Sequence, residues 1–413
     1  MKKIYTSVDI GSDSIKMITA QVIDDNINVL ASVSMHSGGI KKGLIVDAGK
    51  ALVSAKETLT KLEEMLGIKI DKVIASVPCN NASFSLVSGT IELDNNAIIN
   101  GNDIIRVLKK AMENKISEGY ELINTIPIDF EVDGKKGIKD SKGMTGNIMN
   151  VKAILVTVPN KNVYSVISLL QNIGLSVVDV CFNSMGDYEI IRNNKYDSDV
   201  TSIINIGAET TTLSVFNKGI LMNTKVLLMG SKNIDKDINY MYKLSLRDSK
   251  KIKENFALAH KRFASNSERI DVINNENQKI KLNQMEVSMV CSERLIDIIK
   301  IAKNELKSLT NKEISYIMIT GGASEIKGLN TLLNEMGNRR INLMDINIMG
   351  ARKNRFTSSV GMIKYFHDKL SFRGRSYSML DTQKEIELTT YTNNEIKQNS
   401  NSRKKIFGHF FDN

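Results

Sequence analysis

An α/β protein of two lobes that share a phosphate-holding cleft is the fold class this sequence predicts, and three short stretches predict it. Val8-Asp9-Ile10-Gly11-Ser12-Asp13-Ser14-Ile15-Lys16 stands near the start, and Ile204-Asn205-Ile206-Gly207-Ala208-Glu209-Thr210-Thr211-Thr212 follows nearly two hundred positions later. Each is an apolar strand, a glycine turn bearing small hydroxyl and acidic residues, and a second apolar strand. Glycine lets the backbone approach an oxyanion, and successive N–H groups and hydroxyls then hold phosphate oxygens. Two such hairpins imply a duplicated domain that grips phosphates from both sides. The third stretch, Ile317-Met318-Ile319-Thr320-Gly321-Gly322-Ala323-Ser324, runs a strand into a double glycine, where a flat adenine ring can lie against backbone. Alone, Gly321-Gly322 is an ordinary strand-to-helix turn. In this order, after the two hairpins, it reads as a third wall of one site.

Taken in order, residues 4–10, 15–22 and 28–33 read as a meander of short strands broken at Gly11 and at Asp24-Asp25-Asn26. Asp47 is a helix N-cap, Leu52, Ala55, Leu59, Leu62 and Leu66 recur at helical spacing over 48–66, and Gly67 stops the helix. Lys72 to Val77 is a strand. Residues 80–160 read as a small α+β insert: a strand from Phe84 to Leu93, a helix capped by Asn102, and strands at 121–132 and 150–158 flanking a glycine-rich link, Gly134 to Gly146. A helix (161–174), a strand (176–182) and a helix (183–193) lead to the second hairpin. Residues 235–310 are mostly helical and rich in lysine, with a strand-like middle at 270–283. A strand at 314–320, a helix from Gly328 to Met336 and a last apolar helix at 357–367 follow. From 371 the periodicity stops, and 371–402 has the make-up of a polar tether, with strand-like scraps such as Ile386-Glu387-Leu388.

The length, 413 residues, exceeds what one core fills, and 42% apolar with 25% charged residues is ordinary for a globular chain. Cys79, Cys181 and Cys291 sit apart among apolar neighbours, which argues for free buried thiols in a reducing cytosol and against a metal-ligand set. Asp9 interrupts any early apolar run before it becomes a signal-peptide core, and no stretch nears the ~18 apolar residues of a membrane span. Net charge is +10, which suits an acidic partner. Without an aromatic–basic ladder or zinc-finger spacing, nucleic acid is not expected. His36, His260, His367 and His409 are isolated and are assigned nothing.

In the cradle, Asp9 would hold magnesium, mostly through water, because Mg²⁺ keeps much of its hydration shell. Lys16 would neutralise phosphate charge as a point cation. The order of two phosphate motifs and an adenosine motif resembles the actin, Hsp70 and sugar-kinase superfamily. Within it, Gly137-Ile138-Lys139-Asp140 with Gly143-Met144-Thr145-Gly146 is similar to a link in the insert of the FtsA family of bacterial cell-division proteins. Gly230-Ser231-Lys232-Asn233-Ile234-Asp235-Lys236-Asp237-Ile238 is similar to that family's entry into its second-lobe helices, and Thr357-Ser358-Ser359-Val360-Gly361 to its closing helix. The resemblance spans nearly the whole chain. It implies an actin-like fold with subdomains at 1–82 (1A), 83–162 (the insert, 1C, of SHS2 type), 163–228 (2A), 229–312 (2B) and 313–370 (back to 2A and 1A), then a linker at 371–402 and a membrane-targeting helix at 403–413. It implies ATP and Mg²⁺ as cofactors. The nucleotide would be held by Gly11, Ser12, Lys16, Gly207, Ala208, Glu209, Thr210, Lys232, Lys250, Gly321, Gly322 and Ala323, and the metal by Asp9 and Asn205.

The chain departs from that family in places. The second phosphate motif usually starts with Asp and continues with glycines; here stand Asn205, Ala208 and Glu209. Asn adds no negative charge, so magnesium affinity should fall. A Gln-Pro in the helix between the motifs is replaced by Asn183-Ser184. Asn183 is the candidate for orienting an attacking water, and a helix N-cap is the alternative. An acidic ribose contact is replaced by Lys250, for which, as for Lys251, a solvated helix face is the alternative. The adenosine glycine run is cut to two. Together these changes imply ATP binding with slow hydrolysis or none.

At the C-terminus, Arg403, Lys404 and Lys405 precede Ile406, Phe407, Phe410 and Phe411, which share one face if helical. Aromatic side chains below the headgroups and cations against anionic lipid make an interfacial anchor. Burying four large apolar groups contributes about 6–10 kcal/mol gross, and each cation adds about 1 kcal/mol near an anionic surface. A helix docked on its own protein is the alternative, against which the long polar run before it argues; Gly408 weakens the helix. The resemblance thus implies a cytoplasmic adaptor at the division septum. It binds ATP, self-associates into filaments, docks the C-terminal peptide of the tubulin-like FtsZ on 2B, and holds it to the inner membrane face. The rival readings are a pilus-assembly adaptor of the same superfamily and a phosphotransferase, which would need an acidic general base facing the γ-phosphate.

Overall fold

The computed structural model describes residues 3–336 and 340–388. The strands Lys3–Ile10, Ser14–Ile23 and Asn26–His36 form the expected antiparallel meander, with Asp9 opposite Lys16 across its first turn. Lys72–Ser76 pairs parallel with the first of these strands, and Ser176–Cys181 pairs parallel with Lys72–Ser76. The helix Ala48–Leu66 starts and stops where the sequence says. Asp47 accepts the Lys50 N–H at 3.0 Å, and Gly67 closes the helix at φ 70°.

The second lobe repeats this plan. Val200–Ile206, Thr211–Asn217 and Ile220–Leu227 form an antiparallel meander; Tyr316–Thr320 pairs parallel with its first strand, and Ile341–Leu343 pairs parallel with Tyr316–Thr320. The duplication suspected from two hairpins is therefore a duplication of whole sheets. Beyond the second sheet, the helices Lys232–Tyr242, Leu246–Asn255 and Gln284–Leu306, with the hairpin 269–283, pack on a second core that includes Ile234, Ile238, Cys291 and Leu295. All three cysteines are free and buried, as expected.

The insert is a four-stranded antiparallel sheet with one helix. Its strands run Ser83–Ile98, Thr145–Pro159, Tyr120–Val132 and Lys135–Ile138 in spatial order. Three expectations are corrected here. The first strand runs on to Ile98. The glycine-rich link contains its own edge strand, Lys135–Ile138, turned by Asp133 and Gly134 at positive φ. The helix, Gly101–Met112, is capped by Asn100 and not Asn102, because only Asn100 stands three residues before Asp103, whose carboxylate reaches back to the Asn100 N–H at 3.0 Å.

Two helices run between the sheets. Asn183–Ile191 crosses Thr357–Phe372 with Gly186 against Gly361; a Cβ built on Gly361 would lie 1.8 Å from the Gly186 carbonyl oxygen. The closing helix outruns its expected end at 367 because Lys369 pairs with Asp179 at 2.8 Å and Phe372 stacks on Phe130 of the insert. The tether expected from 371 is instead folded as far as Leu388. The Met379 N–H donates to the Ile4 carbonyl at 2.9 Å, Met379, Leu380 and Leu388 are buried, and Lys384 pairs with Asp71. Residues 382–388 are helical, so Ile386-Glu387-Leu388 is no strand. A few apolar side chains with a place on the first lobe fold this otherwise polar run. The rest of the linker and the anchor at 403–413 lie outside the described residues. Among the described residues, no helix is long and apolar enough to cross a membrane.

Candidate functional site

The two hairpin turns close alike: the Gly11 N–H donates to the Ser14 carbonyl at 3.1 Å, and the Gly207 N–H to the Thr210 carbonyl at 2.9 Å. Between them lies a cleft of about 900 Å³. Its wall includes Asp9, Gly11, Ser12, Lys16, Asn183, Asn205, Gly207, Ala208, Thr210, Gly321, Gly322 and Ala323. Residues scattered over the whole chain are thus brought to one place.

Asp9 is 4% exposed and fully engaged. One carboxylate oxygen accepts from Lys16 Nζ at 2.8 Å; the other accepts from Ser76 Oγ at 3.2 Å and Asn183 Nδ2 at 2.9 Å. Asn183 is the first residue of its helix and Phe182 its cap, so the capping alternative falls away. The Asn183 side chain reaches across to the first hairpin, and its Oδ1 is buried without a partner.

On the opposite wall, Asn205 Nδ2 donates to Asp187 Oδ2 at 2.7 Å, and Ser358 Oγ donates to Asp187 Oδ1 at 2.7 Å. Asp187 is 0% exposed. Burial pushes its carboxyl up to about 7 against the pull of these two donors. The sequence reading missed Asp187, Ser358 and Ser76. The signal available was weak: Asp187 and Glu189 are two carboxylates in the short run Ser184 to Glu189, all of which is buried. At the third wall, Gly321 adopts φ 93°, and a Cβ there would lie 2.4 Å from Asn205 Oδ1, so only glycine fits. A Cβ on Gly322 would meet nothing within 4 Å, which leaves open space over the backbone where the sequence places a ring.

Glu209, Lys232 and Lys250 stand beside the cleft wall and tie the lobes together. Glu209 accepts from Lys232 Nζ at 2.9 Å and from the Lys42 N–H at 2.7 Å, and Lys232 Nζ also reaches the Ser12 carbonyl at 3.3 Å. Burial alone would raise the Glu209 carboxyl, but the bonds from Lys232 and Lys42 hold it below its ordinary value. Lys250 grips both oxygens of Asp13, at 2.7 and 2.8 Å, rather than standing as a free solvated side chain. Electrostatics decides this: each acidic turn residue finds a cation or N–H from across the gap.

A second hollow of about 580 Å³ lies between the helices Lys232–Tyr242 and Gln284–Leu306. Tyr240, Met241 and Met289 expose apolar surface there, Tyr240 at 86%. Glu286, Glu293 and Asp297 are acidic residues of the same wall, and Arg294 forks onto Asp237 at 2.6 and 2.9 Å.

Comparison with known proteins adds an independent line. The family described as "Cell division protein FtsA" matches residues 202–361, and "SHS2 domain inserted in FTSA" matches residues 80–157. The FtsA of Bacillus subtilis (strain 168) is 26% identical over 376 residues, covering 90% of this chain and 86% of that protein. The FtsA of Enterococcus hirae is 28% identical over 401 residues, 94% and 90% of the two. Among solved structures, the PilM–PilN type IV pilus biogenesis complex aligns with TM-score 0.59 at 14% identity, over 88% of this chain and 98% of that one. MreB5 of Spiroplasma citri bound to ADP aligns with TM-score 0.55 at 11% identity, over 90% and 98%. The structural likenesses establish an actin-like fold, and the family match over residues 80–157 identifies its insert as an SHS2 domain.

Proposed function

This chain is a member of the FtsA family of cell-division proteins, and from that premise we propose that it binds ATP in the cleft and tethers FtsZ to the membrane as an actin-like adaptor. The observation that carries the nucleotide reading is Asp9: a buried carboxylate at a glycine turn, facing a second glycine turn of the same construction. ATP phosphates would lie between Gly11-Ser12 and Gly207-Ala208, with Lys16 as the cation, and adenine over Gly322. The residues fit magnesium as well. Asp9 offers the charge, and the partnerless Asn183 Oδ1 offers a further acceptor for metal-bound water. The metal would screen the phosphate charge, and Asp9 and Asn205 would hold its waters.

With Asn205 neutral, the cleft favours holding the nucleotide over turning it over. Glu209, Lys232 and Lys250 then act as a clasp that keeps the lobes closed on it. Glu209→Gln removes the charge that Lys232 and the Lys42 N–H share, a loss of about 1 kcal/mol for such a part-exposed pair. A fluorescent ATP analogue chased with excess ATP is expected to leave about fivefold faster from this variant. An unchanged rate would mean the clasp is ornamental.

The tethering reading places the FtsZ C-terminal peptide in the second hollow, where an apolar floor and an acidic rim suit a peptide of apolar and basic residues. The segment Arg403 to Phe411 would hold the chain on anionic lipid, at the cytoplasmic face of the septum, with filament formation multiplying weak contacts. The test is recruitment of labelled FtsZ to anionic liposomes. The full chain should recruit it, residues 1–402 should leave both proteins in solution, and Met289→Asp should keep the chain on the liposome while losing FtsZ. Recruitment unaffected by either change would overturn the reading.

A further inference from the structure

The strand position that opens the second phosphate turn carries a neutral amide, yet a carboxylate stands directly behind it. Asp187 comes from the helix Asn183–Ile191, is fully buried, and its two oxygens are claimed by Asn205 and Ser358, both of which line the cleft. The Asn205 amide nitrogen donates to Asp187 Oδ2 at 2.7 Å, as an ionised carboxylate favours, and this turns the Asn205 Oδ1 away from Asp187. That oxygen lies beside Gly321, on the cleft side, at the place where a Cβ on Gly321 would collide with it. An amide without such a partner could present either end.

We propose that Asp187 is a positioning residue for the phosphate end of the cleft: it fixes Asn205 with its oxygen toward the metal-bearing side, and so does from the helix what a carboxylate on the strand would do directly. The inference rests on the nucleotide reading above and deepens it. Ser358 completes the arrangement by holding the other carboxylate oxygen, so that the closing helix, the cleft helix and the second hairpin meet on one side chain. A burial of this kind without a role would be costly, since an unneeded buried carboxylate is readily replaced by an apolar residue.

The experiment is calorimetric titration of ATP into the full chain with Mg²⁺ and with a chelator, the readout being the Mg²⁺-dependent gain in affinity. Asp187→Asn should cut that gain about tenfold, as losing a partner behind a metal ligand commonly does, with affinity in chelator unchanged. Asn205→Asp alone sets two carboxylates in contact and should lower the melting temperature. The double variant Asp187→Asn with Asn205→Asp moves the carboxylate to the strand and should restore both the gain and the stability. Asp187→Asn with an undiminished gain, an equal loss with and without Mg²⁺, or a double variant that restores nothing would each overturn the proposal. Where Asp187→Asn alone does not fold, the single Asn205→Asp against the double decides in the same way. Wild-type chain that binds no ATP in either buffer would sink the nucleotide reading and this one with it, a result distinct from binding that ignores Asp187.

Discussion

Asp9→Ala is expected to lower the affinity for ATP at least about a hundredfold, roughly 3 kcal/mol, if the cleft holds the nucleotide as proposed. The size follows from how much meets on one carboxylate. Lys16, Ser76 and Asn183 all donate to it, so its removal unfastens the first hairpin, the neighbouring strand end and the start of the cleft helix together. It also leaves Lys16, whose side chain is 12% exposed, without its counter-charge, and a cation stranded this way costs about 3 kcal/mol of stability. Loss of binding and loss of fold must therefore be separated. Asp9→Asn keeps an acceptor for Asn183 or Ser76 and the side chain's shape. It strands Lys16 as alanine does, so it is expected to melt below the wild type but above Asp9→Ala, and to fail to bind in calorimetry run at a temperature where it is folded. If Asp9→Asn binds ATP as the wild type does in Mg²⁺, the cleft does not use this carboxylate and the nucleotide has another site.

The hairpins were legible because their chemistry is local: a glycine, two flanking strands and an acidic turn residue are contiguous in sequence. The same holds for Asp47 and Gly67 around the first long helix, whose bounds were read to the residue. What escaped was chemistry assembled across the chain. Asp187 carries no sign that Asn205 and Ser358 will converge on it from sequence distances of 18 and 171 residues. Lys250 and Glu209 show their charge in the sequence but not their partners, Asp13 and the Lys42 N–H, which are fixed by how the lobes close. The helix cap slipped from Asn100 to Asn102 because two Asn flank the start, and only the reciprocal bond to Asp103 chooses between them. The fold to Leu388 escaped because a few anchoring side chains give no periodic signal in a polar run.

Gly361→Ala is expected to destabilise the protein by at least about 3 kcal/mol, against the usual direction for glycine in a helix. Alanine inside a helix is favoured by about 1 kcal/mol, and Gly361 lies within Thr357–Phe372. Here, however, the added Cβ would sit 1.8 Å from the Gly186 carbonyl oxygen and 2.9 Å from Gly186 Cα. These neighbours are backbone of another buried helix, so no rotamer can yield, and the two helices must part. Gly49→Ala is the matched control: it too lies in a helix, and its Cβ would meet only Asp47 Oδ1 at an ordinary 3.6 Å. Urea unfolding should show the midpoint falling steeply for Gly361→Ala and holding or rising for Gly49→Ala, with the slope unchanged in both. The consequence reaches the cleft. Gly186 adjoins Asp187 in sequence, and Ser358 lies in the turn before Gly361, so parting the helices withdraws both groups that meet behind Asn205. Affinity for Mg²⁺-ATP should therefore fall in whatever Gly361→Ala protein remains folded, while the Gly49→Ala protein binds normally. A Gly361→Ala chain that is stable and binds normally would mean that the two helices are free to move apart, and that the backbone contact at their crossing does not set the geometry of the site.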